Sequence, residues 1–168
     1  TLPLGPEHGG LGLTPRALAV VFERHPSPGV PPGYAARLAA LGFREVAGHL
    51  RGFVDLVFEH GGRFYLVDWK SNHLGPAPAD YRLERLAETM AAHHYVLQAH
   101  LYAAAVDRYL RRRLPGYDYA NHFGGVAYLF LRGIGRGGDG GVFSDKPPAA
   151  LISDLARVLD AAAGEPTP

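Results

Sequence analysis

The sequence predicts an α/β domain in which helices flank a mixed β-sheet. Three observations carry this. Gly52–Phe58 (GFVDLVF) and Tyr65–Lys70 (YLVDWK) are short runs of Val, Leu and aromatic residues, the composition of strands. Between them Glu59-His60-Gly61-Gly62 forms a polar, glycine-bearing turn of four residues, so the two runs should pair antiparallel. Asp80–Leu114 carries Leu83, Leu86, Met90, Leu97, Leu101 and Leu110 at three- and four-residue steps, the period of a helix, with a bend or break expected near His93-His94-Tyr95. Beyond it Val126–Leu131 is a β-rich apolar run. A helix crossing between two strands suits a parallel return to the same sheet.

The remaining elements follow in order. Thr14 and Pro15 open a helix, as N-cap and first residue, that leads into Arg16–Arg24. His25–Gly33 (HPSPGVPPG) is a proline- and glycine-rich connector, and Ala35–Leu41 a short helix. Phe43–Val46 and His49–Phe58 read as strands, then Arg63–Lys70; Asn72–Asp80 and Pro115–Gly125 read as loops. Gly133–Gly141 holds six glycines in nine residues but lacks the Gly-Lys-Ser/Thr ending of a phosphate loop, and reads as a flexible loop. Pro147–Ala163 closes the chain as an amphipathic helix with Leu151, Leu155, Val158 and Leu159 on one face. No internal repeat is visible.

A chain of 168 residues suffices for one sizeable core. Its formal net charge of +1 gives no global attraction to nucleic acid. Arg108, Arg111, Arg112 and Arg113 are either a local DNA-binding patch or, the simpler reading, cations offsetting a helix C-terminus. There is no cysteine, so no disulfide and no cysteine-bound zinc. Without a charged-then-apolar leader or an apolar run of about 18 residues, a soluble cytoplasmic protein is expected.

The chemistry concentrates in the hairpin. Asp68 and Lys70 are two residues apart and share one face of their strand; Asp55 can meet them from the neighbouring strand. Carboxylates are the hard oxygen donors that Mg²⁺ takes, and an ammonium beside such an ion suits phosphodiester hydrolysis. Of 17 basic residues only Lys70 and Lys146 are lysines, so a lysine in this strand hints that the site needs an amine. The competing reading is a structural ion pair. His94, Gln98 and Tyr102 follow at four-residue spacing on one helix face, offering an amide and a phenol to one partner or forming an ordinary solvated edge. The adjacent His93 and His94 diverge on a helix and chelate no single ion well, and His122 is expected to pack or to bind a backbone carbonyl.

Gly52–Leu56, Leu66–Leu74 (LVDWKSNHL), the Gln98/Tyr102 pair and Gly116–Gly133 (GYDYANHFGGVAYLFLRG) together resemble the nuclease domain of the RecB subunit of exonuclease V, the RecBCD helicase–nuclease, within the PD-(D/E)XK nuclease superfamily. The resemblance runs from about Gly12 to Ala163 and implies a restriction-endonuclease-like core. It implies that Asp55 and Asp68 are acidic metal ligands, with the Trp69 backbone carbonyl completing the coordination. Lys70 matches the lysine that orients or activates the attacking water or stabilises the pentavalent phosphate. Gln98 and Tyr102 match the Gln-xxx-Tyr motif expected near the DNA backbone. Asp68 is expected to supply charge to the metal and little to the core, and Gln98 and Tyr102 to lie at the sheet's edge on a helix packed through Leu97 and Leu101.

The implied activity is Mg²⁺-dependent hydrolysis of DNA in recombination and double-strand-break repair. The implied partners are DNA, a helicase part of the parent polypeptide and RecC/RecD-like subunits. The cysteine-bound iron–sulfur cluster of some related nucleases has no ligands here. The family's upstream helix also carries a metal-binding His in a Gly-x-x-x-His context. His8, in Glu7-His8-Gly9-Gly10, has loop composition and is not equated with it. The chain is therefore expected to be a single nuclease domain truncated at its N-terminus, over residues 1–168, with weak metal binding and little activity alone. A second hypothesis is a non-catalytic docking or regulatory module that keeps the fold.

Overall fold

The computed structural model describes residues 2–4, 13–46, 48–135 and 140–162, which form two compact units. His8 and Arg136–Asp139 of the glycine-rich segment lie outside the described residues.

The first unit combines β1 (Leu2–Leu4), α1 (Pro15–Arg24), α2 (Tyr34–Ala39), β2 (Gly48–Leu50) and α6 (Ala149–Ala161). As predicted, Thr14 caps α1: its Oγ1 accepts from the Ala17 N–H at 3.1 Å, and Pro15 occupies the first turn, where no N–H is needed. α1 buries Leu18, Val21 and Phe22 against α2 and α6; Phe22 meets the Tyr34 ring edge-on at 5.7 Å. α6 contributes Leu151, Ile152, Leu155 and Leu159. The strand expected at Phe43–Val46 reduces to one bridge, Leu13 to Val46. Within His49–Phe58, β2 pairs antiparallel with β1 and the chain then leaves strand geometry until Leu56.

The second unit holds the four-stranded sheet, in order β3 (Leu56–His60), β4 (Arg63–Lys70), β5 (Phe123–Phe130) and β6 (Val142–Asp145). β3 and β4 are antiparallel, β4 and β5 parallel, β5 and β6 antiparallel, so the expected mixed sheet and parallel return are both present. The hairpin turn is shorter than predicted. His60 pairs with Arg63, leaving Gly61 and Gly62 alone in the loop at φ 58° and 75°. Two consecutive positive φ values match the strand twist and need glycine. The Glu59 carboxylate accepts from the Gly62 N–H at 3.0 Å, which explains the polar residue beside the glycines.

β6 was not anticipated. It follows the glycine-rich segment directly, and four residues (VFSD) are too few to show an alternation. β5 begins at Phe123, inside the segment read as a loop. Its pairing with β4 slips at Gly124, whose added Cβ would lie 2.3 Å from the Tyr65 ring, so glycine is required for the strands to approach.

α3 (Leu83–Ala92) and α4 (Tyr95–Arg113) are the expected long helical stretch, broken where foreseen. His94 takes a left-handed φ of 55°, unusual for a residue with a side chain, and its carbonyl accepts from Gln98 to open α4. α4 packs through Val96, Ala99, Ala103 and Leu110, not through Leu97 and Leu101, which are only half-buried. Small alanines let the helix lie close to β5, a face that a search for large apolar residues overlooks. The last connection, α5 (Tyr119–His122), is a single turn capped by Asp118, and His122 Nδ1 lies 2.9 Å from the Asp118 carbonyl, the backbone contact expected for it. Among the described residues no helix is long and apolar enough to cross a membrane.

Buried polar groups on α4 make stability depend on pH. His100 is sealed in the interior with Nδ1 2.7 Å from the Val96 carbonyl, and burial lowers its pKa to about 4. The unfolded chain, with His near 6.5, binds the proton more tightly, so stability is full above 6.5 and falls as pH drops towards 4. The loss should total about 3 kcal/mol, read from urea melts across that window, and should shrink in His100→Gln.

Candidate functional site

The hairpin and β5 bring the predicted residues together. Asp55 sits in the bend just before β3, one residue outside the strand in which it was expected. Because Leu56 pairs with Val67, Asp55 comes opposite Asp68, and antiparallel partners share a face. Asp55 Oδ2 accepts from the Trp69 N–H at 2.9 Å, which ties the bend to the end of β4. Asp68 lies beside Tyr128 of β5 in register.

Asp68 is 4% exposed, contrary to the expectation that it adds little to the core: β4 is an interior strand, and Lys70 lies against the carboxylate, held there by Gln98 of α4. Burial pushes its carboxyl above the ordinary carboxylate range. The hydrogen bond and charge of Lys70 oppose this, and the charge of Asp55 adds to it.

Lys70 Nζ lies 2.6 Å from Asp68 Oδ1 and donates to Gln98 Oε1 at 2.9 Å. Tyr128 Oη donates to the same Gln98 oxygen at 3.2 Å, and Gln98 Nε2 donates to Tyr102 Oη at 3.1 Å. Gln98 and Tyr102 therefore do face the acidic cluster. Yet the Gln98 amide is not free at a sheet edge; its oxygen is taken up by Lys70 and Tyr128. Tyr102 reaches the cluster through Gln98.

Two aromatic residues complete the group without having been singled out. The Tyr95 and Tyr128 ring centroids lie 3.9 Å and 5.1 Å from Lys70 Nζ. Tyr128 falls within the apolar run of β5, and Tyr95 looked like part of a helix break, so neither carried a distinguishing signal. The phenol of Tyr128 is held well above its ordinary range, by burial first and then by the neighbouring charge of Asp68, so it stays a hydrogen-bond donor. Among the arginines at the end of α4, Arg111 Nε pairs with Asp107 Oδ2 at 2.9 Å, and the last turn is solvent-exposed.

The donor set fits a divalent hard cation. Two carboxylates converge on one face, and the charge of Asp55 already acts on Asp68. Among the described residues no third His, Cys, Asp or Glu joins them. Mg²⁺ commonly takes one or two carboxylates and fills its octahedron with other oxygens and water.

A sequence profile of the PD-(D/E)XK nuclease superfamily matches residues 13–165, and the chain belongs to that superfamily. Among individual proteins it is 50% identical to the RecBCD enzyme subunit RecB of Escherichia coli over 67% of this chain and 10% of that protein. It is 49% identical to the same subunit of Haemophilus influenzae over 71% and 10%, and 46% identical to that of Mycolicibacterium smegmatis over 77% and 13%. The chain thus spans about a tenth of the length of the relatives it matches.

Proposed function

We propose that this chain is the nuclease module of a RecBCD-like helicase–nuclease, hydrolysing phosphodiester bonds of DNA in recombination and double-strand-break repair with Mg²⁺. The observation that carries the reading is the convergence of Asp55, Asp68 and Lys70 on one face of a hairpin in a PD-(D/E)XK chain. Asp55 and Asp68 would hold the ion, with the Trp69 carbonyl as a third oxygen. When bound, the ion would polarise the scissile phosphate and acidify a water.

The protein's own groups do the rest. Lys70 Nζ, fixed beside Asp68, is a charged donor placed where negative charge builds on the phosphate. Gln98 Oε1 orients that ammonium, and Tyr102 extends the polar edge towards the DNA backbone. RecC/RecD-like partners belong to the same proposal, supported by the relatives being RecB subunits of a RecBCD enzyme; the helicase part and a cytoplasmic location are carried with it by the resemblance alone.

The test is cleavage of linear DNA with Mg²⁺ or with chelator, by the chain and by a form extended at its N-terminus. Mg²⁺-dependent cleavage in the extended form supports the reading; none in either form favours a docking module. Replacing Gln98 and Tyr102 together with Ala should lower cleavage by about 10- to 100-fold, the usual cost of removing groups that orient a site. Mg²⁺ affinity should be unchanged, since neither is a strong ligand. Unaltered cleavage would leave the pair no part in the reaction.

A further inference from the structure

Lys70 is a long, flexible side chain confined on every side, and Asp68 and Gln98 account for only part of that confinement. Its side chain is 11% exposed. Two donor directions go to Asp68 Oδ1 and Gln98 Oε1. A further side of the ammonium rests on the face of Tyr95, 3.9 Å from the ring centroid, well within the reach of a cation–π contact. Tyr95 is itself held from three directions. Its hydroxyl donates to Asn72 Oδ1 at 3.3 Å, and its ring stacks on His93 at 5.3 Å and on Tyr128 at 6.1 Å. The left-handed turn at His94 places Tyr95 at the first position of α4, so the break between the two helices sets where this ring stands.

We propose that Tyr95 is a positioning residue for Lys70: its ring face holds the ammonium beside Asp68, where the nuclease reading above needs it. The proposal rests on that reading for its catalytic consequence, but the placement of Lys70 can be tested without it. A tyrosine whose only task is to fill space at the helix start would be replaced equally well by any apolar residue of similar bulk. A tyrosine whose ring face carries the cation is replaced by phenylalanine and not by leucine, because only phenylalanine keeps the π-system.

The chain has two lysines, so selective ¹³C labelling at lysine Cε yields two signals, assigned by Lys146→Arg. Ring currents should place the Lys70 ε-methylene protons upfield of those of Lys146. Tyr95→Phe should keep that shift and Tyr95→Leu should move the signal downfield, with amide spectra confirming that both variants fold. An unmoved Lys70 signal in Tyr95→Leu would overturn the proposal whatever the chain does to DNA. In the form that cleaves DNA, Tyr95→Leu should lower kcat about tenfold at unchanged KM, and Tyr95→Phe should restore it. Equal kcat in the two variants would also overturn the role. If wild type does not cleave, the nuclease reading fails, and the NMR comparison still decides whether Tyr95 holds Lys70.

Discussion

Asp68→Asn should remove the proposed Mg²⁺-dependent DNA cleavage, with a fall in kcat of about a thousandfold or more, the scale set by losing a main electrostatic element of a reaction centre. Asparagine keeps the shape of the side chain and one oxygen for Lys70, but not the charge that an ion needs. Alanine is the poorer probe. Asp68 is 4% exposed and its partner Lys70 is nearly buried, so deletion leaves an ammonium without its counter-charge. Breaking a buried pair in this way costs about 3–5 kcal/mol, and Asp68→Ala would lose activity partly by losing structure. The check is single-turnover cleavage of linear DNA in the N-terminally extended form, with a thermal melt beside it. A stable Asp68→Asn protein that cleaves at the wild-type rate would mean that the chemistry lies elsewhere.

Lys70→Arg is the second large effect, with cleavage falling by about a hundredfold or more. The charge is retained, so a purely coulombic role would survive the change. The pocket argues otherwise. Nζ fits between Asp68 Oδ1 at 2.6 Å, Gln98 Oε1 at 2.9 Å and the Tyr95 ring at 3.9 Å, a cradle for a compact point charge. A guanidinium is planar, bulkier and permanently protonated. Lys70→Met goes further: without the hydrogen bond and charge that oppose burial, the Asp68 carboxyl should rise higher still above its ordinary range. Full activity in Lys70→Arg would reduce the lysine to a counter-ion.

What the sequence disclosed, and what it hid, follows from the range of each signal. Asp68 and Lys70 were legible because strand alternation alone puts them on one face. Asp55 was legible because a glycine-bearing turn brings its run back alongside. The break at His93-His94 was visible as a fault in the leucine period. The packing face of α4 was not, because alanines such as Ala99 and Ala103 carry little hydrophobic signal yet permit the closest approach to a sheet. The burial of Asp68 was equally hidden. It depends on α4 bringing Gln98 over Lys70 and Tyr128 on that face of the sheet, which is a property of tertiary packing. Tyr95 and Tyr128 escaped notice for the same reason: an aromatic residue reports nothing about a lysine 25 or 58 positions away until the sheet and α4 bring them together.

In the proposed site Asp55 and Asp68 hold one cation with Lys70 at its edge. Mn²⁺ titration of the ¹³Cε-lysine-labelled chain tests it most directly, because manganese suits the same carboxylate donors as magnesium and its paramagnetism broadens nearby signals even when binding is weak. The Lys70 signal should broaden first while the Lys146 signal stays sharp, excess Mg²⁺ should reverse this, and either Asp55→Asn or Asp68→Asn should remove it. A Lys70 signal that stays sharp, or that broadens no sooner than Lys146 and equally in both variants, would mean that Asp55 and Asp68 hold no ion beside Lys70.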